Sequence, residues 1–326
     1  MTNLIGRREL LTASIGLYAG LTGSTTHAQA GQTSRETGTD ALGRRVGTNT
    51  GAGPQIPKRQ AKTTKLFLSP PGWPNAIDID HDQQRGFWVA EQRHDRKPEA
   101  HWLLDWNGKL LHTVMTNCED TSGMCFGDGF LWSGANGASV VNPPSPPING
   151  VFQTDMNGKQ ISHRQIPFGP KEDGGATHGM SWQEDVHKIW IDSNRVGTIM
   201  RIDPKTWEVD WMFPMTRIVQ RLHGIAYDNG FIWQVCGTQK PGTSDYAGYT
   251  PGLVKYDMKT GRVVEQVDFV PGSADIHDVT VNKGQLYGVD AGEHPGWSID
   301  VPEYQHKGYP PLNSPTGCQI FKIDLI

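Results

Sequence analysis

The chain has 326 residues, about twice an ordinary domain, and a formal net charge of −4. That balance leaves no basic stripe for nucleic acid and no pull toward an anionic membrane, so a small-molecule substrate or a protein is the expected partner. With 39 Gly, 22 Pro and 11 Trp against only 36% hydrophobic residues, the composition is turn-rich and argues for strands rather than helices.

Residues 1–30 read as an export signal: Arg7-Arg8, an apolar run from Leu10 to Leu21, and Ala28-Gln29-Ala30 as a small-residue cleavage site. The arginine pair followed by Glu9-Leu10-Leu11 resembles the twin-arginine class, which carries folded proteins across the bacterial inner membrane; a general secretory signal with two arginines is the alternative. The run is too short for a permanent span. The expectation is therefore a periplasmic or secreted protein, handled by the twin-arginine export machinery, with no stable membrane insertion. Residues 31–62 are rich in Gly, Thr, Ser and charge, bury too little to offset their ordering entropy, and are expected to form a flexible leader.

The remainder, 63–326, is organised by a repeat. Leu222-His223-Gly224-Ile225-Ala226-Tyr227-Asp228-Asn229-Gly230-Phe231-Ile232-Trp233 pairs a short strand, a polar turn and a second strand ending in an aromatic residue. Similar segments begin at Pro74, Ser122, His178 and His277, roughly fifty residues apart, with Trp88, Trp132, Trp190 and Tyr287 in the aromatic position. Those aromatics are expected to pack between neighbouring repeats rather than to touch ligand. A third strand ends at Asp105, Asp155, Asp203 or Asp257, each followed by a turn in which the Asp side chain can accept from the backbone two residues on. A fourth strand follows, so each repeat predicts one four-stranded antiparallel blade of a β-propeller.

The last repeat ends two residues after Asp324, without a fourth strand. Lys65-Leu66-Phe67-Leu68-Ser69 lies where the outer strand of a preceding blade belongs. The prediction is an all-β, five-bladed propeller closed by an N-terminal strand at about Lys65–Ser69 that completes the C-terminal blade and leaves no open edge.

His178, His223 and His277 occupy one repeat position in three consecutive blades, at the start of the innermost strand, and are predicted to meet around the central channel. Neutral imidazoles converging from separate strands suit a divalent ion (zinc, iron, magnesium or calcium) with positions left open for water and substrate. The other two openings, taken as Pro74 and Ser122, offer no strong ligand. The alternative is a wet channel lined by histidines that bond backbone and water. Without a metal, one imidazole still serves as general base.

Further candidates follow the second strands: Glu91 with His94, Asp192 with Asn194 and Arg195, and Asp290 with Glu293 and His294. Arg195 is the carboxylate anchor among them, because its forked donors suit bidentate binding. Asp278 is placed to orient an imidazole or bind a substrate hydroxyl, and Asn75 stands at the opening of the first repeat. Two long insertions, 237–252 with Tyr246 and Tyr249 and 293–315 with Trp297, Tyr304 and Tyr309, are expected to rise over one rim, as substrate contacts or as packed surface loops. Cys118, Cys125, Cys236 and Cys318 allow three disulfide pairings, a local Cys118–Cys125 bridge among them, or buried thiols.

The His-Gly-Ile and His-Gly-Met openings, and the run from Lys188-Ile189-Trp190-Ile191-Asp192-Ser193-Asn194-Arg195 to Ile202-Asp203-Pro204, resemble repeats of the streptogramin lyase (virginiamycin B lyase) and lactonase-like propellers over residues 65–326. That resemblance implies elimination chemistry on a cyclic ester with a divalent ion and a histidine, although the blades of those enzymes are more numerous and shorter. Plant-type glutaminyl cyclases are similar in blade number, but their catalytic pattern is not recognisable here. The functional expectation is an exported metal-assisted lyase or hydrolase acting on a small oxygenated molecule. The alternatives are a noncatalytic ligand- or protein-binding propeller and, behind it, a glutaminyl cyclase-like acyltransferase.

Overall fold

The computed structural model describes residues 37–39, 45–47, 55–72, 74–92, 97–136, 149–167, 177–194, 196–219, 222–236, 251–271, 273–274, 276–289 and 319–326. The chain divides into two units, Met1–Gln55 and Ile56–Ile326. In the first, β1 (Thr37–Thr39) pairs antiparallel with β2 (Arg45–Gly47).

Every described element of the second unit is a strand. Three four-stranded antiparallel sheets follow in chain order. They are β4 (Pro74–Ile79), β5 (Gly86–Glu91), β6 (Glu99–Asp105) and β7 (Leu110–Thr116); β8 (Thr121–Gly127), β9 (Phe130–Ala135), β10 (Gly150–Asp155) and β11 (Gln160–Arg164); and β12 (Gly179–Gln183), β13 (Lys188–Ser193), β14 (Thr198–Ile202) and β15 (Val209–Pro214). The rest is an eight-stranded sheet. Its order is β16 (Leu222–Asp228), β17 (Phe231–Cys236), β18 (Gly252–Asp257), β19 (Arg262–Phe269), then β3 (Lys58–Leu68), β22 (Gln319–Leu325), β21 (Gln285–Val289) and β20 (Asp278–Asn282).

Burial falls along each sheet. The first strands β4, β8 and β12 are buried at every residue, whereas the fourth strands β7, β11 and β15 are largely exposed. First strands pack on one another in the order β4, β8, β12, β16, β20 and back to β4. Small residues permit that approach: a Cβ added at Gly123 would lie 2.8 Å from the Cα of Gly179, and one at Gly179 would lie 2.7 Å from that of Gly224. This is the physical reason for the Gly in the His-Gly opening, since any side chain there meets backbone.

The repeat aromatics sit between neighbouring sheets as expected. Trp88 packs with Met124 and Phe126, Trp132 with Met180 and Trp182, Trp190 with Ile225 and Tyr256, and Trp233 with Val279 and Phe321. Tyr287 meets Phe87 of β5 edge-on at 5.0 Å. The Asp turns also form: Asp105 Oδ1 accepts from Asn107 N at 2.8 Å, Asp155 Oδ1 from Asn157 N at 2.8 Å, Asp203 Oδ1 from Lys205 N at 2.7 Å and Asp257 Oδ1 from Lys259 N at 2.7 Å.

The N-terminal strand pairs antiparallel with β22, from Gln319↔Leu68 to Leu325↔Ala61. It is longer than the stretch Lys65–Ser69: it begins at Lys58, within the stretch read as leader, and stops before Ser69. Its first residues also run parallel to β19, Gln266↔Lys58 to Phe269↔Ala61, and so join two sheets into one. The extension has little hydrophobic signal because backbone pairing holds it; Ala61 and Thr63 face inward while most neighbouring side chains face out. Arg59 Nε adds a bond to Glu265 Oε1 at 2.6 Å.

Cys118 and Cys125 are free, buried thiols, so the local Cys118–Cys125 bridge does not form. The two side chains lie in different cores: Cys118 packs with Ala135 and Phe152, and Cys125 with Trp132 and Met180. Burial pushes both thiols well above their ordinary pKa, which makes them poor nucleophiles. Cys318 lies outside the described residues.

Candidate functional site

His178 immediately precedes β12, His223 is the second residue of β16, and His277 immediately precedes β20. The close packing at Gly179 and Gly224 draws these strand starts together. Ring centroids are 4.3 Å apart for His223–His277, 4.9 Å for His178–His223 and 6.1 Å for His178–His277. One ligand atom from each imidazole lies within 4.8 Å of the other two. Nitrogens at about 2.1 Å from a tetrahedral ion are about 3.4 Å from each other, so shifts of about 0.8 Å or less per ring bring all three to that spacing. Among the described residues, this is the one group of His, Cys, Asp and Glu with that geometry.

Backbone bonds hold the three starts. His178 N donates to Asp192 O at 3.2 Å, His277 N to Val289 O at 2.8 Å, and Gly224 N to His277 O at 3.1 Å, the last linking β16 to the β20 start. His277 Nδ1 lies 3.0 Å from Asn75 O. A carbonyl only accepts, so Nδ1 carries the hydrogen and Nε2 of the neutral ring keeps its lone pair.

The strand register corrects one assignment. Counting three residues back from the partner of each second-strand aromatic gives His178, His223 and His277, and the same count gives Ser122 and Asn75 rather than Pro74. Asn75 contributes its carbonyl to His277, and its Nδ2 bonds Thr121 O at 3.4 Å, bridging to β8. The side of the ring formed by Asn75 and Ser122 therefore brings no imidazole, as expected.

Asp278 is not a partner of the His277 ring in the bonds observed. It is fully buried; its Oδ2 accepts from Ile77 N of β4 at 2.9 Å and its Oδ1 from Val279 N at 2.9 Å. Asp78 repeats the device toward β8, accepting from Phe126 N at 3.0 Å. These carboxylates tie one first strand to the next; of the two, only Asp278 is among the residues expected to orient an imidazole or bind a substrate hydroxyl. Burial drives the Asp278 carboxyl well above the ordinary range, against the pull of its two backbone donors.

Glu91 is buried at the end of β5, where Oε2 accepts from Ala100 N at 3.2 Å. Asn194 Nδ2 bonds Leu222 O at 3.0 Å, so it fixes the residue before His223. Arg195, Tyr246, Tyr249, Glu293 and His294, together with His94, Asp290, Trp297, Tyr304 and Tyr309, lie outside the described residues.

Other buried polar groups near the site escaped the sequence reading. Glu99 accepts from Asp120 N and Thr121 N, each at 2.8 Å, at the start of β8. Gln234 bonds Asp192 Oδ2 at 2.7 Å and receives Tyr256 OH at 2.8 Å. Burial is the leading influence on Asp192 and pushes its carboxyl up to about 8, so it is neutral at pH 7. The available signal was a polar residue in an apolar run, as at Gln234 in Phe231-Ile232-Trp233-Gln234-Val235-Cys236.

No family model matches the chain. No curated protein matches it in sequence. Solved structures do match. A glutaminyl cyclase from Myxococcus xanthus is 11% identical, with 83% of this chain and 98% of that one covered, at a TM-score of 0.51. A luciferin-regenerating enzyme is 13% identical over 81% and 95% at 0.45, and the virginiamycin B lyase from Staphylococcus aureus is 13% identical over 70% and 67% at 0.41. A glutaminyl cyclase and a virginiamycin B lyase, the enzyme types named from the sequence, are thus both among these neighbours. At such identities the likeness is one of fold.

Proposed function

We propose that the protein is an exported five-bladed β-propeller that works as a metal-assisted lyase or hydrolase on a small oxygenated molecule, with His178, His223 and His277 holding a divalent ion. The observation that carries this reading is the convergence of three imidazoles from three successive first strands, with ligand atoms within 4.8 Å of one another. The donor set fits: three neutral nitrogens suit zinc or iron better than magnesium or calcium, which prefer oxygen. A bound ion would polarise a carbonyl oxygen or acidify a water there.

The chain's own residues supply placement. Asn75 O holds the Nδ1 edge of the His277 ring. Asn194 anchors the strand start that carries His223. Asn75 and Ser122, small and polar, leave the opposite sector to water and substrate. The circuit of first strands β4, β8, β12, β16 and β20 supports the blade number, and the pairing of β3 with β22 supports closure by the N-terminal strand. Export through the twin-arginine machinery to the periplasm rests on Arg7-Arg8 and the short apolar run after it.

The test is metal analysis of protein purified without chelator, followed by His178→Ala, His223→Ala and His277→Ala. One ion per chain, lost in each variant together with turnover of a lactone or cyclic-ester panel, is the expected result. Product mass then separates the two reactions, because hydrolysis adds water and ring-opening elimination yields an isomer. A folded protein that takes up no divalent ion would instead mark a binding propeller.

A further inference from the structure

We propose that Gln234 is a positioning residue that sets the spacing of His178 and His223, acting through Asp192 on one side and the His223 carbonyl on the other. This inference rests on the metal-site reading above. Gln234 is fully buried in β17. Its Nε2 donates to Asp192 Oδ2 at 2.7 Å and lies 3.4 Å from His223 O; its Oε1 receives Tyr256 OH at 2.8 Å. Tyr256 OH in turn accepts from Thr216 N at 3.0 Å, in the connection that leads from β15 to His223. On the far side, Asp192 pairs with Gly179 in the β12–β13 ladder, and its carbonyl accepts from His178 N. The side-chain chain Tyr256–Gln234–Asp192 thus joins the backbone that delivers one imidazole to the backbone that delivers the other.

Comparison within the repeat shows that packing alone does not call for these residues. The position after the second-strand aromatic is Val89, Ser133, Ile191 and Gly288 in the other sheets, and Gln only at 234. The following position is Ala90, Gly134, Val235 and Val289, and Asp only at 192. A buried polar pair confers little net stability over an apolar one of similar volume, but it specifies a single arrangement. That arrangement lies between the two sheets whose histidines stand 4.9 Å apart. Groups that orient metal ligands from behind are worth about 10- to 100-fold in metal affinity.

The experiment uses the full chain with Co²⁺ as probe, reading d–d absorption and affinity by chelator competition. Gln234→Met keeps the volume and removes every polar contact; Co²⁺ affinity is expected to fall about 10- to 100-fold with an altered d–d spectrum. Tyr256→Phe, which leaves Gln234 in place, gives a smaller loss and serves if Gln234→Met does not fold. The double variant Asp192→Asn with Gln234→Glu restores a donor–acceptor pair in reverse and is expected to recover part of the affinity. Wild-type affinity and spectrum in both Gln234→Met and Tyr256→Phe overturn the proposal. Should the native protein bind no Co²⁺, the metal reading fails separately, and side-chain ¹⁵N spectra of the histidines decide the positioning role. Displaced His223 signals in Gln234→Met beside unmoved His277 signals uphold it, and unmoved signals from both refute it.

Discussion

The inner ring has two unlike halves. Around β12, β16 and β20 the repeat position holds His178, His223 and His277, whereas around β4 and β8 the same position holds Asn75 and Ser122. The backbone scaffold is shared: Gly123, Gly179 and Gly224 make the same close approaches on both sides. What differs is which polar groups are gathered there. In the β4–β8 half, Glu99 and Asp78 spend their carboxylates on backbone N–H groups of β8. In the other half, Asp278 does the same for Ile77 N of β4 and Val279 N, Asp192 pairs with Gln234, and three imidazoles stand close together besides. Buried carboxylates close the ring in both halves, and only the second adds a cluster of imidazoles to them.

That difference is testable by mutation. The largest effect is expected from His277→Ala, which removes one of three ligands and its bond to Asn75; divalent-metal affinity should drop about a thousandfold, while the urea midpoint moves little. Gly224→Val should do the reverse to the whole molecule, since a Cβ there overlaps the Asp278 side chain and lies 2.6 Å from its Cα; unfolding free energy should fall by about 3 kcal/mol or more. Glu99→Ala isolates the histidine-free half. It strips two buried N–H groups of their acceptor and should cost about 3 kcal/mol in urea unfolding, with metal affinity unchanged.

A further effect, confined to acid, is a pH dependence from the same half. His101 is fully buried, with Nε2 2.8 Å from Ser133 Oγ, and burial lowers its pKa to about 3. The unfolded chain takes up this proton near its ordinary value and the folded chain does not. Stability from this group is therefore full above about pH 6.5 and declines toward pH 3, by up to about 1.4 kcal/mol per pH unit. Replacing His101 with Gln should flatten that limb of the urea-midpoint profile between pH 6.5 and 4, leaving metal uptake at neutral pH intact.

Much of this architecture was legible beforehand because repeats copy local chemistry. The Asp turns and the inter-sheet aromatics follow from residues within a few positions of each other. The recurrence of His at the opening of three consecutive repeats singled out His178, His223 and His277 as a set. The reach of β3 back to Lys58 was not legible, since an outer strand held by backbone pairing carries almost no hydrophobic pattern. Nor was the fate of Asp278: whether a carboxylate serves a ligand or a neighbouring N–H depends on which strand lies beside it.

By itself, then, the sequence determined the strand-and-turn grammar, the packing aromatics and the three histidines as a set, because each is written in local spacing. Only the tertiary structure decided that Asn75 stands at the histidine position and holds the His277 ring, that Asp278 and Asp78 stitch first strands together, and that Gln234 and Asp192 lie between two imidazole-bearing sheets. Those facts are contacts between residues 40 to 200 positions apart, and a chain specifies them through close packing around an axis rather than through any motif.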